Sequence, residues 1–258
     1  MRTGCGLVNT SDIALAEQLG FSYVELLGRQ LAAMDDGAFA VLEKTLWKAG
    51  IRCEGMNGYC PPQITIAGPG FDPGAAAEYS RKLAGRGRAL GVRVVGIGSP
   101  FSRTLPEGYD RRVAEAQLKD FLKITAEAMG KYGITVCLEA LAPCYCNFIN
   151  YAAEAVEITR EIGWDSIKVV LDYYNMEGTG EADRDMGDWI YDIAHVHISD
   201  DAGSPQKRYF LRADKCSIHR KRLGSLVKNG YKGTATLEVD LPVNRDDAAH
   251  SLKILERV

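Results

Sequence analysis

The chain has 258 residues, 46% hydrophobic and 25% charged, with a formal net charge of −3. This is enough apolar material for a sizeable core, and too little positive charge to favour nucleic acid or an anionic membrane as a partner. An odd count of seven cysteines without a CxxC pair, an N-terminus lacking an apolar signal core and the absence of a bilayer-length apolar run point to a cytoplasmic protein with free thiols.

Gly4–Asn9 reads as a first strand, and Thr10, Ser11 and Asp12 offer an N-cap for a helix over Ile13–Leu19 that stops at Gly20. Tyr23–Leu27 is a second strand, followed by a helix over about Asp35–Ala49. Ile51–Asn57 is a third. The Pro- and Gly-rich segment Gly58–Asp72 is longer than a usual βα connection and reads as a lid or substrate loop. A helix over Gly74–Leu90 precedes the strand Val92–Ile97, and the loop Phe101–Tyr109 leads into the longest helix, Asp110–Tyr132. Its apolar residues, among them Leu118, Phe121, Leu122 and Met129, fall on one stripe.

Four further strands follow, running into Glu139, Asp172, His197 and Glu238. Helices are expected between and after them over Asn147–Ile162, Asp183–Tyr191, Ser217–Lys228 and Asp246–Arg257. Eight strand–helix units without a composition break predict an α/β chain folded as a single (β/α)8 TIM barrel domain over residues 1–258. A doubly wound open sheet is the alternative, but no strand here is followed by its Gly-rich phosphate turn.

The last four strands share one design. Residues two apart on a strand share a face, so Cys137/Glu139, Val170/Asp172, His195/His197 and Thr236/Glu238 lie on one side. The opposite face is apolar: Val136/Leu138, Val169/Leu171, Val196/Ile198 and Leu237/Val239. In a parallel barrel the C-terminal strand ends carry function. Glu139, Asp172, His197 and Glu238 should therefore converge at one rim, and three carboxylates with one imidazole suit a divalent metal ion. Mn²⁺ is the first expectation, then Mg²⁺ or Co²⁺, with Zn²⁺ also compatible.

At Leu138-Glu139-Ala140-Leu141, Asn147–Asn150, Val170–Met176, His195-Val196-His197 and Leu237-Glu238 the chain resembles the sugar isomerase/epimerase family with the xylose isomerase-like barrel. Gly98-Ser99-Pro100 with Arg103, and Pro106–Tyr109, add to the resemblance, which covers nearly the whole chain. It implies that Glu139, Asp172, His197 and Glu238 bind the metal and that Glu139 and Glu238 form the acid/base pair. It further implies a small carbohydrate substrate, converted through an enediolate by isomerisation or 3-epimerisation. The chain departs from the family at Asn175, where a histidine is usual, at Tyr145, where ketohexose 3-epimerases have a substrate-binding Glu, and at Gly203–Arg212, which replaces a Pro-Gly-x-Gly stretch. These departures argue against the common free ketohexoses as substrates.

Asn175, Glu25, His195, Lys207 and Arg208 are the candidates for meeting substrate. Glu25 reads equally as a rim charge, His195 as a residue orienting a ligand from behind or as a core histidine, and the basic loop as a solvated surface. An inosose-type dehydratase and a non-catalytic sugar-binding barrel remain alternative functions. An apurinic endonuclease is disfavoured by the shortage of histidines and of basic surface. The association state, including a homo-oligomer, is left open.

Overall fold

The computed structural model describes residues 1–204 and 206–256. In chain order its elements are β1 (Arg2–Leu7), α1 (Ile13–Leu19), β2 (Tyr23–Leu27), α2 (Gly28–Ala33), α3 (Asp36–Ala49), β3 (Cys53–Asn57), α4 (Pro73–Leu90), β4 (Val94–Ile97), α5 (Arg111–Gly130), β5 (Thr135–Glu139), α6 (Ala152–Ile162), β6 (Ile167–Asp172), α7 (Tyr173–Thr179), β7 (Ile193–Ile198), β8 (Asp200–Asp201), β9 (Arg208–Tyr209), α8 (Cys216–Lys228), β10 (Thr234–Leu237) and α9 (Arg245–Leu255). Strands β1 to β7 and β10 close into a barrel in the order β1-β10-β7-β6-β5-β4-β3-β2, every pair parallel. β8 and β9 form a separate antiparallel hairpin just beyond β7.

The alternation along the strands separates two apolar layers. Val136, Leu138, Val169, Leu171, Val196, Ile198 and Leu237 belong to the main core, which also takes in the buried sides of the surrounding helices. Val94, Cys137 and Val170 make a second, small cluster. Truncating a fully buried leucine such as Leu138 or Leu171 to alanine should cost about 2–5 kcal/mol, because the rigid packing around it cannot collapse into the void.

Helix ends follow local chemistry. Asp35 accepts from the Ala38 N–H at 2.7 Å, Asp72 from Gly74 at 2.8 Å and Asp110 from Arg112 at 2.8 Å, each supplying an acceptor for an otherwise unpaired first-turn amide. In α6 the start falls at Ala152 rather than Asn147, because Glu154 Oε2 accepts from the Asn150 and Tyr151 N–H groups at 2.8 and 3.0 Å. The preceding residues are thereby freed to form a rim loop.

The main difference from expectation lies after β6. The helix expected over Asp183–Tyr191 is only a 3₁₀ turn at Gly187–Trp189, and a helix stands instead at Tyr173–Thr179. Asp172 caps it, accepting from the Tyr174 N–H at 2.9 Å, and Gly180 ends it in the left-handed conformation at φ 77°. α2 and the β8–β9 hairpin were also unforeseen. The last helix is seen to Leu255, and its expected end at Arg257 lies outside the described residues. None of the seven cysteines is in a disulfide. No described helix is long and apolar enough to cross a membrane.

Candidate metal centre

Glu139 and Asp172 are the final residues of β5 and β6, His197 is the penultimate residue of β7, and Glu238 follows β10 directly. Parallel register sets Asp172 opposite His197 and Thr236 opposite His197, so the four side chains emerge at one end of the barrel. Each offers a ligand atom within 4.8 Å of the others. Room for Glu139 is made by Gly98, since a Cβ there would fall 2.5 Å from Glu139 Oε2. Arg103, fully buried, donates Nη2 to the Glu139 carbonyl oxygen at 2.7 Å and fixes the strand end.

Beneath this cluster lies a buried polar tier. Glu25 Oε1 is 2.8 Å from His197 Nε2, and its Oε2 is 2.8 Å from His195 Nε2. His195 Nδ1 is 2.9 Å from the Thr234 hydroxyl, and Thr236 Oγ1 is 3.1 Å from both Glu25 and His195. Burial works against a charged Glu25, but His197 and His195 outweigh it and hold the carboxyl below its usual range. Burial lowers His195. It also opposes charge on His197, yet Glu238 and Glu25 reverse the balance and raise that imidazole well above its ordinary value.

The rim is held by amides and one guanidinium. Asn175 Nδ2 donates to Asp172 Oδ2 at 2.6 Å and to Glu139 Oε1 at 3.3 Å, while its Oδ1 accepts from the Ala142 N–H at 3.1 Å. Asn57, at the end of β3, donates to Glu238 Oε1. Arg208 reaches in from the hairpin, with Nη2 2.5 Å from Asp172 Oδ2 and Nη1 2.9 Å from Glu238 Oε2. Burial pushes Glu238 up to about 8, with Glu139 and Asp172 adding to the rise against Arg208 and His197. Asp172 stays below its usual range because Arg208 overcomes the cost of burial.

The donor set fits a divalent cation. His197 Nδ1 is buried without a hydrogen bond and faces Glu238 Oε2 at 3.3 Å and Glu139 Oε1 at 3.7 Å. Glu25, by engaging Nε2, leaves Nδ1 as the nitrogen turned toward the three carboxylates. The surrounding field favours positive charge at that point, whether a proton or a metal supplies it. Glu139 and Glu238 also line a cavity of about 150 Å³ with Leu27, Arg29, Tyr145 and Arg208.

The outer candidates differ in their placement. Glu25 is buried, and each of its oxygens lies 2.8 Å from a histidine nitrogen, so it is no rim charge. His195 has both ring nitrogens engaged in the same tier. Lys207 is exposed, and it is its backbone carbonyl that accepts from the Tyr174 hydroxyl, at 3.4 Å. Asn175 spends its amide on Asp172, Glu139 and Ala142. Arg208 alone of the five lines the cavity. The Gly58–Asp72 segment, expected as a lid or substrate loop, contributes Gly58 to the cavity wall, with Ile66 N–H donating to Ser102 O at 2.7 Å and Cys60 N–H to Ser99 Oγ at 2.9 Å. The sequence reading missed Asn57, although it is a polar residue at a strand end like Glu139, Asp172, His197 and Glu238.

Comparison with known proteins agrees with this architecture. A curated D-psicose 3-epimerase of Agrobacterium fabrum is 22% identical over 190 residues, covering 71% of this chain. The match spans 64% of that relative's length. A crystal structure of D-psicose 3-epimerase with D-tagatose from Clostridium cellulolyticum H10 superposes with a TM-score of 0.73 at 19% identity, covering 98% of this chain and 90% of the other. One of 3-keto-D-glucoside 4-epimerase from E. coli superposes with a TM-score of 0.76 at 16% identity over 100% of both chains. The profile of the Xylose isomerase-like TIM barrel family matches residues 13–258. With its closed eight-stranded barrel and that match across nearly its whole length, the chain belongs to the Xylose isomerase-like TIM barrel family.

Proposed function

We propose that the chain is a divalent-metal-dependent isomerase or 3-epimerase of a small keto sugar or polyol ketone, working as a single barrel domain. The observation that carries this reading is the convergence of Glu139, Asp172, His197 and Glu238, with Glu139 and Glu238 lining a cavity and a buried imidazole nitrogen turned toward the carboxylates. The relatives named as D-psicose 3-epimerase and 3-keto-D-glucoside 4-epimerase support a sugar epimerase. Those four residues would hold the cation, with Mn²⁺ the best match to three hard carboxylates and one imidazole, ahead of Mg²⁺, Co²⁺ and Zn²⁺. When bound, the cation supplies Lewis-acid stabilisation of the negative charge that develops on a ketone oxygen.

The chain's own residues then handle the proton. Glu139 and Glu238 come from strand ends well separated around the barrel and both line the cavity, so they approach a central substrate from different sides. One takes the proton next to the carbonyl, leaving an enediolate. The other returns a proton to the opposite face, which is epimerisation, or to the neighbouring carbon, which is isomerisation. Asn175 keeps Glu139 and Asp172 in register, Asn57 holds Glu238, and Arg208 offers donors for a substrate oxygen.

The test is solvent exchange. In D₂O with Mn²⁺, a panel of small ketoses and inososes should include one that gains deuterium next to its carbonyl, with product mass otherwise unchanged. Loss of water from the product would indicate dehydration instead. A panel without exchange under any of the four metals would reject the proposal.

A further inference from the structure

We infer that Arg208 is a built-in rival of the cation, a positioning residue whose guanidinium draws on oxygens of two ligand residues and lowers the affinity of the site for metal. The inference rests on the proposed assignment of the cation to Glu139, Asp172, His197 and Glu238. Arg208 opens β9 and is buried, with Nη2 2.5 Å from Asp172 Oδ2 and Nη1 2.9 Å from Glu238 Oε2. One guanidinium thus bridges side chains from the end of β6 and from just beyond β10.

The bridged carboxylates have little capacity to spare. Asp172 Oδ1 caps α7 by accepting from the Tyr174 N–H at 2.9 Å, and Oδ2 also accepts from Asn175 Nδ2 at 2.6 Å. Glu238 Oε1 accepts from Asn57, so Oε2, the atom facing Arg208, is the oxygen turned to His197 Nδ1 at 3.3 Å. A cation held by His197 and Glu238 would draw on the same oxygen. Charge acts in the same direction, since a nearby guanidinium repels a divalent ion and neutralises part of the carboxylate charge that attracts it. Burial opposes the charge on Arg208, but Asp172 and Glu238 overcome it and raise its pKa well above the ordinary arginine value.

The fold keeps the guanidinium in this place. It lies 4.8 Å from the Tyr174 ring centroid and 5.8 Å from that of Tyr145. The Arg208 N–H donates to Asp240 Oδ2 at 3.3 Å, and the Tyr174 hydroxyl lies 3.2 Å from Ser204 O and 3.4 Å from Lys207 O. These contacts come from three separate rim segments, so Arg208 is not a surface arginine free to swing into water. A residue that merely oriented Asp172 and Glu238 would raise metal affinity, whereas a rival lowers it. Linkage makes the effect reciprocal: a bound cation weakens the Arg208 pairs and makes its donors available to the cavity that it lines.

Titration with Mn²⁺, followed by the electron paramagnetic resonance signal of the free ion, reads the affinity without substrate or turnover. Arg208→Met keeps a long side chain beside the tyrosine rings and removes the charge. It should bind Mn²⁺ about 5–150-fold more tightly than the unmodified protein, the usual span of coupling between two ligands. Arg208→Gln, which keeps an amide donor without the charge, should show a gain in the same direction if Arg208→Met does not fold. Lys207→Met removes the same charge from the exposed neighbour and should leave affinity unchanged. Circular dichroism checks the fold of each variant. Equal or weaker binding by a folded Arg208 variant, or the same gain in Lys207→Met, overturns the inference and leaves the metal assignment standing. Failure of the unmodified protein and of both Arg208 variants to bind Mn²⁺ rejects the proposed Mn²⁺ site, and this inference with it.

Discussion

Glu25 Oε1 stands 2.8 Å from Nε2 of His197, a pairing between β2 and β7 across the barrel interior. This contact selects the face that the imidazole turns to the carboxylates. In Glu25→Gln the amide cannot accept from both histidines, so cation affinity should fall about 10–100-fold, the range for losing a partner that orients a ligand. Titration with Mn²⁺ measures it, with circular dichroism confirming the fold. Unchanged affinity would remove Glu25 from any role in the site.

Asp172→Asn retains the oxygen that caps α7 but removes an anionic charge from the ligand cluster. Metal content and turnover should fall together while helix content is preserved. Full activity at unchanged metal content would show that Asp172 does not hold the cation.

Glu139→Gln and Glu238→Gln keep side-chain shape and abolish the base. Each should cost about 10²–10⁴-fold in rate. Metal content must be measured on each variant, so that loss of the cation is distinguished from loss of proton transfer. A variant that keeps metal and exchange yet forms no product identifies the residue that returns the proton.

Gly98→Ala places a methyl group 2.5 Å from Glu139 Oε2, closer than the two can approach. The carboxylate must move aside, which a flexible side chain does at little cost in stability. Displacement of a reacting group by an ångström can cost about 10²-fold. Activity should therefore fall by roughly that factor with little change in melting temperature.

Asp200 anchors the base of the hairpin that carries Arg208. It accepts from the Arg212 N–H at 2.7 Å and lies 2.9 Å from His219 Nε2 and 3.2 Å from Lys215 Nζ. Burial opposes its charge, but His219 and the Arg212 amide prevail and hold its pKa below the ordinary carboxylate value. A depressed folded value means a stabilising contribution that is complete above the unfolded pKa of about 4 and lost as pH falls through the folded one. The melting-temperature gap between the unmodified protein and Asp200→Asn should thus be constant near neutrality and close in acid.

Alternation along Thr135–Glu139, Ile167–Asp172, Ile193–Ile198 and Thr234–Leu237 was enough to predict parallel strands delivering Glu139, Asp172, His197 and Glu238 to one end of a barrel. That pattern is local, because a strand's period assigns each side chain to a face before any partner is known. The helix at Tyr173–Thr179 was written just as locally, in the Asp172 cap and the Gly180 stop. It was overlooked because the same residues read as a strand end carrying a ligand.

Other roles depended on distance across the barrel. Glu25 lies 170 residues before His195 and 172 before His197, and only barrel closure, with β2 on β1, β1 on β10 and β10 on β7, sets it beneath both rings instead of at the rim. Lys207 and Arg208 are adjacent in a basic loop, and composition treats them alike. β9 starts at Arg208, whose guanidinium reaches inward to Asp172 and Glu238, whereas Lys207 precedes the strand and stays in solvent. Eight strand–helix units predicted the barrel, and the strand period placed Glu139, Asp172, His197 and Glu238 on one face of their strands. Tertiary structure decided which polar neighbours orient those four side chains and which face the cavity, since that follows from packing between segments remote in sequence.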